Sequence, residues 1–348
     1  MIDLLPAIGN ETDQRTRPTS RLGNRLLWIG LGVLWTVAFA VAYTQWPLYT
    51  GKQHTKFLHG LAAAGVGHLQ DDWLANTLNP LPAFSLLVTM THIYLDDAVF
   101  YAIQALLLGV YLLSLYGVVG HLFPSLRKGV GPLLFLTLLI AIHSTLLPPF
   151  NMQTFGMSIG WLLQSGVAGQ YMLNPSFEPG SFGVLLILSI YLFLTDRPHW
   201  ASAAASFAAV MHSAYMLTAA VLVLAYVLIV FWQRRSWLAA VGVGAVGLAV
   251  VAPLLLYSST VLGPTTPELW AQAQDIIVNF RIPHHSLPEL WIDNAVYARL
   301  AVVVVAILLA RKSRVALILT LLLLAAAGLT FAQWALDSDT LAFLAPWR

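Results

Sequence analysis

Long apolar runs alternate with short polar interruptions along most of this chain. A helix that crosses a bilayer needs about 20 mostly apolar residues, within a range of about 17–25. Segments of this kind are read at Leu26–Tyr43, 98–119, 131–147, 182–194, 236–257, 296–310 and 315–335. Some are short, as suits helices packed inside a bundle. Residues 248–257 and 301–310 are apolar on every side, so a one-sided amphipathic helix does not describe them. The stretch 200–232 admits two readings, one very long helix or two short ones joined at His212-Ser213-Ala214-Tyr215.

Basic residues decide between the two. Lysine and arginine gather in cytoplasmic loops. Here they cluster at Arg15/Arg17/Arg21/Arg25, Arg127/Lys128, Arg197, Arg234/Arg235 and Arg311/Lys312/Arg314. With the N-terminus inside, a single helix through 200–232 would put Arg234 and Arg235 outside and invert everything after them. A hairpin turning at His212–Tyr215 keeps every cluster inside. The expected fold is therefore all-α, a polytopic transmembrane helix bundle of about nine spans with short interfacial helices in its outer loops. Residues 1–25 form a cytoplasmic polar tail, and 26–348 form a single transmembrane domain in the plasma (inner) membrane. The leader is long for a secretory n-region and Ala38-Phe39-Ala40 is a weak cleavage site, so the first apolar segment is read as retained. A fresh apolar run, 341–346, follows Asp337–Thr340 and stops at Arg348. The expectation is a truncated C-terminus or a last element at the outer interface.

This topology sorts the remaining charges. Eleven of the 15 acids fall outside: Asp71, Asp72, Asp96, Asp97, Glu178, Glu268, Asp275, Glu289, Asp293, Asp337 and Asp339. Eight of the 10 histidines join them: His54, His59, His68, His92, His143, His212, His284 and His285. The positive-inside rule says little about either type, so the asymmetry marks the outer face as the place for binding or chemistry. Three outer loops are long, at 45–97, 148–181 and 258–294. The first holds an amphipathic piece at 55–65 and an apolar piece at 84–95. Connections of such length are usually functional or carry helices of their own.

Composition agrees. The chain is 59% hydrophobic and 9% charged, against about 25% charged for a soluble domain, so lipid is the solvent and partner for much of its surface. A net charge of +2 and the lack of a long basic run outside the tail argue against nucleic acid. With no cysteine, disulfides, thiolate metal sites and cysteine nucleophiles are excluded. No phosphate-binding glycine loop, dinucleotide fingerprint or nucleophile elbow occurs in a fitting context. No internal repeat supports an inverted-repeat transporter. No charge interrupts the middle of a span, Arg299 lying near an outer end, which disfavours a proton relay through the bilayer.

Four constellations can carry chemistry. In Gln70-Asp71-Asp72-Trp73-Leu74-Ala75-Asn76, paired carboxylates suit a general base or a divalent cation, and Trp73 suits stacking on a sugar ring. The same acids equally suit capping a short interfacial helix. In Arg281-Ile282-Pro283-His284-His285-Ser286-Leu287-Pro288, two prolines fix the backbone around a histidine pair beside an arginine. Arginine matches phosphate through bidentate bonds, and histidine can donate, shuttle protons or ligate. A rigid loop at headgroup level is the plainer reading. In Gln53-His54-Thr55-Lys56-Phe57-Leu58-His59-Gly60, Lys56 and His59 share a helical face and His54 does not. No glutamate accompanies the histidines, so hydrolytic zinc is disfavoured. Finally, His212-Ser213-Ala214-Tyr215 either faces a cavity at membrane depth or satisfies the backbone of a turn. Asn151, Gln153, Gln170, Tyr171, Asn174 and Glu178 are further polar residues that can line a cavity.

One span, a large outer loop bearing the acidic pair Asp71-Asp72, and then short-looped spans resemble the GT-C glycosyltransferases. A closer likeness is to bacterial multi-pass proteins that share the loop-and-hairpin layout. The GT-C resemblance implies a polyprenyl-phosphate-linked sugar as donor and Asp71 or Asp72 as general base. Arg281, His284 or His285 would contact the lipid phosphate, with Trp73, His54 and His59 nearby. No cofactor is read from the sequence beyond the divalent cation that the paired carboxylates Asp71 and Asp72 could hold. The customary C-terminal soluble domain is missing from the pattern. The rival readings are a transporter or flippase of a lipid-linked or amphipathic substrate, hinged at Gly160, Gly166 and Gly169, and a non-catalytic membrane scaffold.

Overall fold

A computed structural model describes residues 21–43, 47–144, 166–167, 172–263, 266–344 and 346–347. The tail before residue 21, the end of the 131–147 segment, Asn151, Gln153, Gly160, Gly169, Gln170 and Tyr171 lie outside the described residues. Every element among the described residues is helical.

Helix α1 is Arg21–Tyr43. The first loop carries α2 (Gln53–Lys56), α3 (Leu58–Ala63) and α4 (Pro82–Tyr94) before α5 (Ala98–Leu122) and α6 (Gly131–His143). A 3-10 turn at Pro179–Gly183 leads into α7 (Val184–Leu194), followed by α8 (Pro198–Met211), α9 (Met216–Arg234) and α10 (Trp237–Val261). The last loop folds as α11 (Pro267–Asp275), a π-helical turn at Ile276–Arg281, α12 (Pro283–Ser286) and α13 (Pro288–Trp291). The chain ends with α14 (Asn294–Leu309), α15 (Arg314–Leu336) and α16 (Asp339–Phe343).

Local chemistry sets these boundaries. Proline opens α4, α8, α11, α12 and α13, where a missing N–H costs nothing. Side chains of Ser236, Asp293, Ser313 and Ser338 accept from the first-turn amides of α10, α14, α15 and α16.

Among the described residues five helical stretches are long and apolar enough to cross a membrane: Leu26–Tyr43, Ala98–Leu122, Ser213–Arg234, Trp237–Val261 and Arg314–Leu336. Segments α6, α7, α8 and α14 are shorter, at 13, 11, 14 and 16 residues. At 1.5 Å per residue these reach about 16–24 Å, less than a hydrocarbon core of about 30 Å. Trp28, Leu34, Leu106, Leu248, Leu256, Leu324 and Leu336 project from the long helices 60–70% exposed, and so much open apolar surface on long apolar helices suits lipid rather than water. The chain is an integral membrane protein.

Neighbouring helices run α6–α1–α5–α7–α8, then α9 and α10 against α8, then α15 and α14. Small residues allow the close approaches. A Cβ at Gly109 of α5 would meet Thr36 of α1 at 2.5 Å, one at Gly117 would meet Tyr191 of α7 at 2.5 Å, and one at Gly247 of α10 would meet Ser202 of α8 at 2.6 Å. Alanines 201, 205, 208 and 209 of α8 are fully buried against α9 and α10.

The 200–232 stretch breaks where charge parity required. His212 is extended, a 3-10 turn follows at Ser213–Tyr215, and α8 packs back along α9. His212 Nδ1 accepts from the Ala214 amide at 3.5 Å, so its imidazole caps the turn.

The two ends of the bundle differ in charge. Thr36 faces Gly109 and Gly32 faces Leu113, so α1 and α5 are antiparallel and Arg25 lies beside the end of α5 that Arg127 follows. At the same end Arg314 pairs with Asp196 at 2.8 Å, donates to the Leu194 carbonyl at 3.2 Å, and Leu194 packs with Leu122, Ala310 and Val315. The described basic clusters thus share one end. Asp97, Glu178, Asp293 and Asp337 stand at the opposite ends of α5, the turn-and-α7 unit, α14 and α15 and so lie toward the other.

Candidate functional site

At the acidic end, the loops interlock through buried amides and a phenylalanine cluster. Gln53, 1% exposed, donates from Nε2 to the Phe177 carbonyl at 2.7 Å. Gln104, fully buried in α5, donates to the Asn174 carbonyl at 2.9 Å. Tyr215 Oη, from the hairpin turn, donates to the Gly180 carbonyl at 2.7 Å. That approach requires glycine next door, because a Cβ at Gly183 would lie 2.4 Å from Tyr215 Oη. The ring of Phe177 meets those of Phe57, Phe84, Phe100 and Phe182. Three separate elements therefore fix the short segment 174–180.

This segment presents Glu178 to a cavity of about 580 Å3. Glu178 is 9% exposed, and its Oε1 accepts from Asn174 Nδ2 at 2.5 Å. It also forms a reciprocal capping box with Ser181, opening the 3-10 turn that precedes α7. Around it the cavity is lined by Lys52 and Lys56 from the first loop, His212 and Tyr215 from the hairpin, and Arg281 and His285 from the last loop. Three cations therefore face one carboxylate among the described lining residues, with both histidines in addition. The π-helical turn at Ile276–Arg281 widens the helix just before Arg281, a distortion often found where a helix must aim a side chain. Proline at 283 then starts α12 and sets His285 on the cavity wall.

The cavity continues into apolar space. Thr218 and Trp347 line it and also line a groove of about 240 Å3 formed by Leu217, Val221, Val303, Leu319 and Leu322. Charge and oil thus meet at one wall.

The residues singled out from the sequence divide between this cavity and the surface. Arg281, His285 and Lys56 line it; His284 is exposed, its ring 4.0 Å from that of His285. His54 is exposed on the far side of α2 from Lys56, as their spacing requires. His59 sits on α3, where Nε2 lies 3.2 Å from the Thr77 carbonyl and braces the loop. Asp71, Asp72 and Trp73 are not among the lining residues. Asp71 and His68 are exposed, 3.9 Å apart, and Trp73 is 77% exposed. Asp72 Oδ1 accepts from the amides of Leu74 at 2.8 Å and Ala75 at 3.2 Å, which is the capping role. Among the described residues no three histidine, aspartate or glutamate side chains gather closely enough to hold a metal ion. No family model matches the chain, and neither curated proteins nor solved structures match it.

Lys52 escaped notice in the sequence because nothing local marks it. Gln104 carried a readable signal, being an amide in an otherwise apolar span, where a polar group faces protein by default.

A second polar knot ties the first loop to α5. Asp97 accepts from Tyr49 Oη at 2.5 Å and lies 2.9 Å from His92 Nδ1. Burial alone would raise the Asp97 carboxyl. The hydrogen bonds from Tyr49 and His92, with the charge on His92, outweigh it and hold the group below its ordinary value. Burial, then the bond to Asp97, pushes the Tyr49 hydroxyl well up. A carboxyl depressed in the folded state contributes stability above its unfolded pKa and loses it as pH falls through the folded one. The melting temperature in detergent is therefore expected to fall below about pH 4, and Asp97→Asn should flatten that acid limb. An unchanged acid limb in the variant would remove Asp97 as its source.

Proposed function

We propose that this integral membrane protein holds a phosphate-headed amphiphile, the head in the cationic cavity and the apolar part in the adjoining groove. The observation that carries the reading is the contact of these two spaces along Thr218 and Trp347. Arginine and lysine at such a wall suit phosphate oxygens, and apolar walls suit the chain. By the positive-inside rule the basic end of the bundle is cytoplasmic. The N-terminus is then inside, and the cavity opens on the extracytoplasmic face of the plasma (inner) membrane.

Within this class the GT-C resemblance nominates a polyprenyl-phosphate-linked sugar. In an inverting transfer a carboxylate takes the proton of an acceptor hydroxyl, whose oxygen attacks the anomeric carbon. The bond from that carbon to the phosphate oxygen breaks, and the cations stabilise the leaving phosphate. Two carboxylate positions compete for the role of base: the Asp71–Asp72 pair and Glu178. Geometry favours Glu178, since it is buried, hydrogen-bonded in place and on the cavity wall. In proteoliposomes Glu178→Gln is expected to lower transfer by about 10²-fold or more while lipid binding persists. Asp71→Asn with Asp72→Asn should leave transfer within a few-fold. Full transfer by Glu178→Gln would remove Glu178 from the reaction, and loss in the double variant would return the base to the first loop.

A transport reading uses the same cavity without chemistry. It is favoured by the closure of the opposite end, where Arg314 clasps Asp196 and the Leu194 carbonyl over an apolar plug. Gly166, one of the hinge glycines, lines the cavity. Movement of a labelled lipid phosphate across proteoliposomes by Glu178→Gln would support transport, and its absence from the wild type would exclude it.

A further inference from the structure

The groove is not the only apolar space against Trp347. A cleft of about 550 Å3 lies between α13, α14 and α15, lined by Trp291, Tyr297, Leu300, Phe331 and Trp334, and Trp347 closes it too. The indole of Trp347 meets that of Trp291 edge-on, with ring centres 6.1 Å apart. One side chain therefore borders three spaces: a cationic cavity, an aliphatic groove with no charge among its described lining residues, and an aromatic cleft with Glu289 as its one described charge.

We propose that the three form a single site for a lipid with an anionic phosphate head and two apolar chains. The head occupies the cavity beside Lys56 and Arg281. One chain lies in the groove between α9 and α15, the other in the cleft between α14 and α15, and Trp347 stands where they diverge. This inference rests on the head-in-cavity reading above and narrows it, because a single polyprenyl chain would fill one branch and leave the other empty. The cleft's own chemistry points the same way. Trp291, Trp347 and Thr330 line it, and their Nε1, Nε1 and Oγ1 atoms are buried without a hydrogen-bond partner among the described residues. Buried polar groups left unpaired call for an explanation, and indoles are donors only. A chain attached through an ester would bring acceptor oxygens to that wall for these donors. A hydrocarbon chain brings none.

The test measures binding of three probes to the purified full-length chain in detergent: dioleoyl phosphatidate, a single-chain polyprenyl phosphate and neutral dioleoylglycerol. The phosphatidate should bind at least about tenfold tighter than either of the others, as loss of two or more buried methylenes already corresponds to that factor. Ala326→Phe narrows the groove and Ala327→Phe narrows the cleft. Each should weaken phosphatidate by about tenfold or more. Photo-reactive phosphatidates provide a second measurement on the unaltered protein, with the label on the sn-1 or the sn-2 chain. The two labels should crosslink to different walls, one to α9 and the other to α13. Equal affinity for the single-chain phosphate, with both labels on one wall, would overturn the two-chain site and leave the head site standing. If instead dioleoylglycerol binds as tightly as both phosphates, and Arg281→Gln changes nothing, the head site itself falls.

Discussion

Replacing Phe177 by alanine is expected to destabilise the protein by about 3–5 kcal/mol, the usual cost of emptying a fully buried aromatic position. Phe177 is 1% exposed and its ring lies 5.5–6.2 Å from those of Phe57, Phe84, Phe100 and Phe182. Those partners come from the first loop, from α5 and from the turn before α7, so the cavity left behind sits where these elements meet. Its effect on binding should be as large, because Glu178 is the next residue and the Phe177 carbonyl is where Gln53 fastens the loop bearing Lys52 and Lys56. Phe177→Leu keeps most of the volume and should cost less than half as much. Phe280→Ala, at a position 84% exposed, is the control. Thermal unfolding in one detergent compares all three. A melting temperature for Phe177→Ala equal to that of the control would mean that the phenylalanine cluster does not hold the loops together.

The helix break at His212–Tyr215 was legible and the site only half so, and the difference is physical. Charge parity located the break at His212–Tyr215 without any local helix breaker, because a basic pair left on the wrong side is a global error. The number of spans was less secure for the opposite reason. Apolar runs such as α7 and α8 have the composition of a span, yet α8 buries its alanines against α9 and α10 and is too short to cross alone. Hydropathy does not separate a residue facing lipid from one facing protein. At the site, Arg281, His285 and Lys56 carried recognisable spacing. The acidic pair was the more conspicuous motif, but Asp72 is taken up by the amides of Leu74 and Ala75. Glu178 looked ordinary in sequence. Its position follows from Gln53, Gln104 and Tyr215, each from a different element and up to 124 residues away. No local pattern encodes such contacts.

Removing two of the cavity's cations together, Lys56→Gln with Arg281→Gln, is expected to weaken binding of a phosphate-headed lipid by up to about 100-fold at low ionic strength. Hydrogen bonds to charged groups are worth about 1.5–3 kcal/mol each. Arg281 is exposed and Lys56 half-buried, so solvent screening places both near or below the bottom of that range. Each single variant should then lose about tenfold, and the pair up to roughly the product, since two side chains that hold one phosphate are coupled through it. Salt separates this effect from misfolding. Exposed charges act over a Debye length of about 10 Å at 0.1 M, so raising salt should weaken the wild type more than the double variant, and their affinities should converge. His54→Gln, on the far face of α2, should leave affinity unchanged at every salt concentration. A double variant that binds phosphatidate as the wild type does, with the same salt slope, would show that these cations serve the fold rather than a ligand. The head site would then lose the charge on which both the transfer and the transport readings depend.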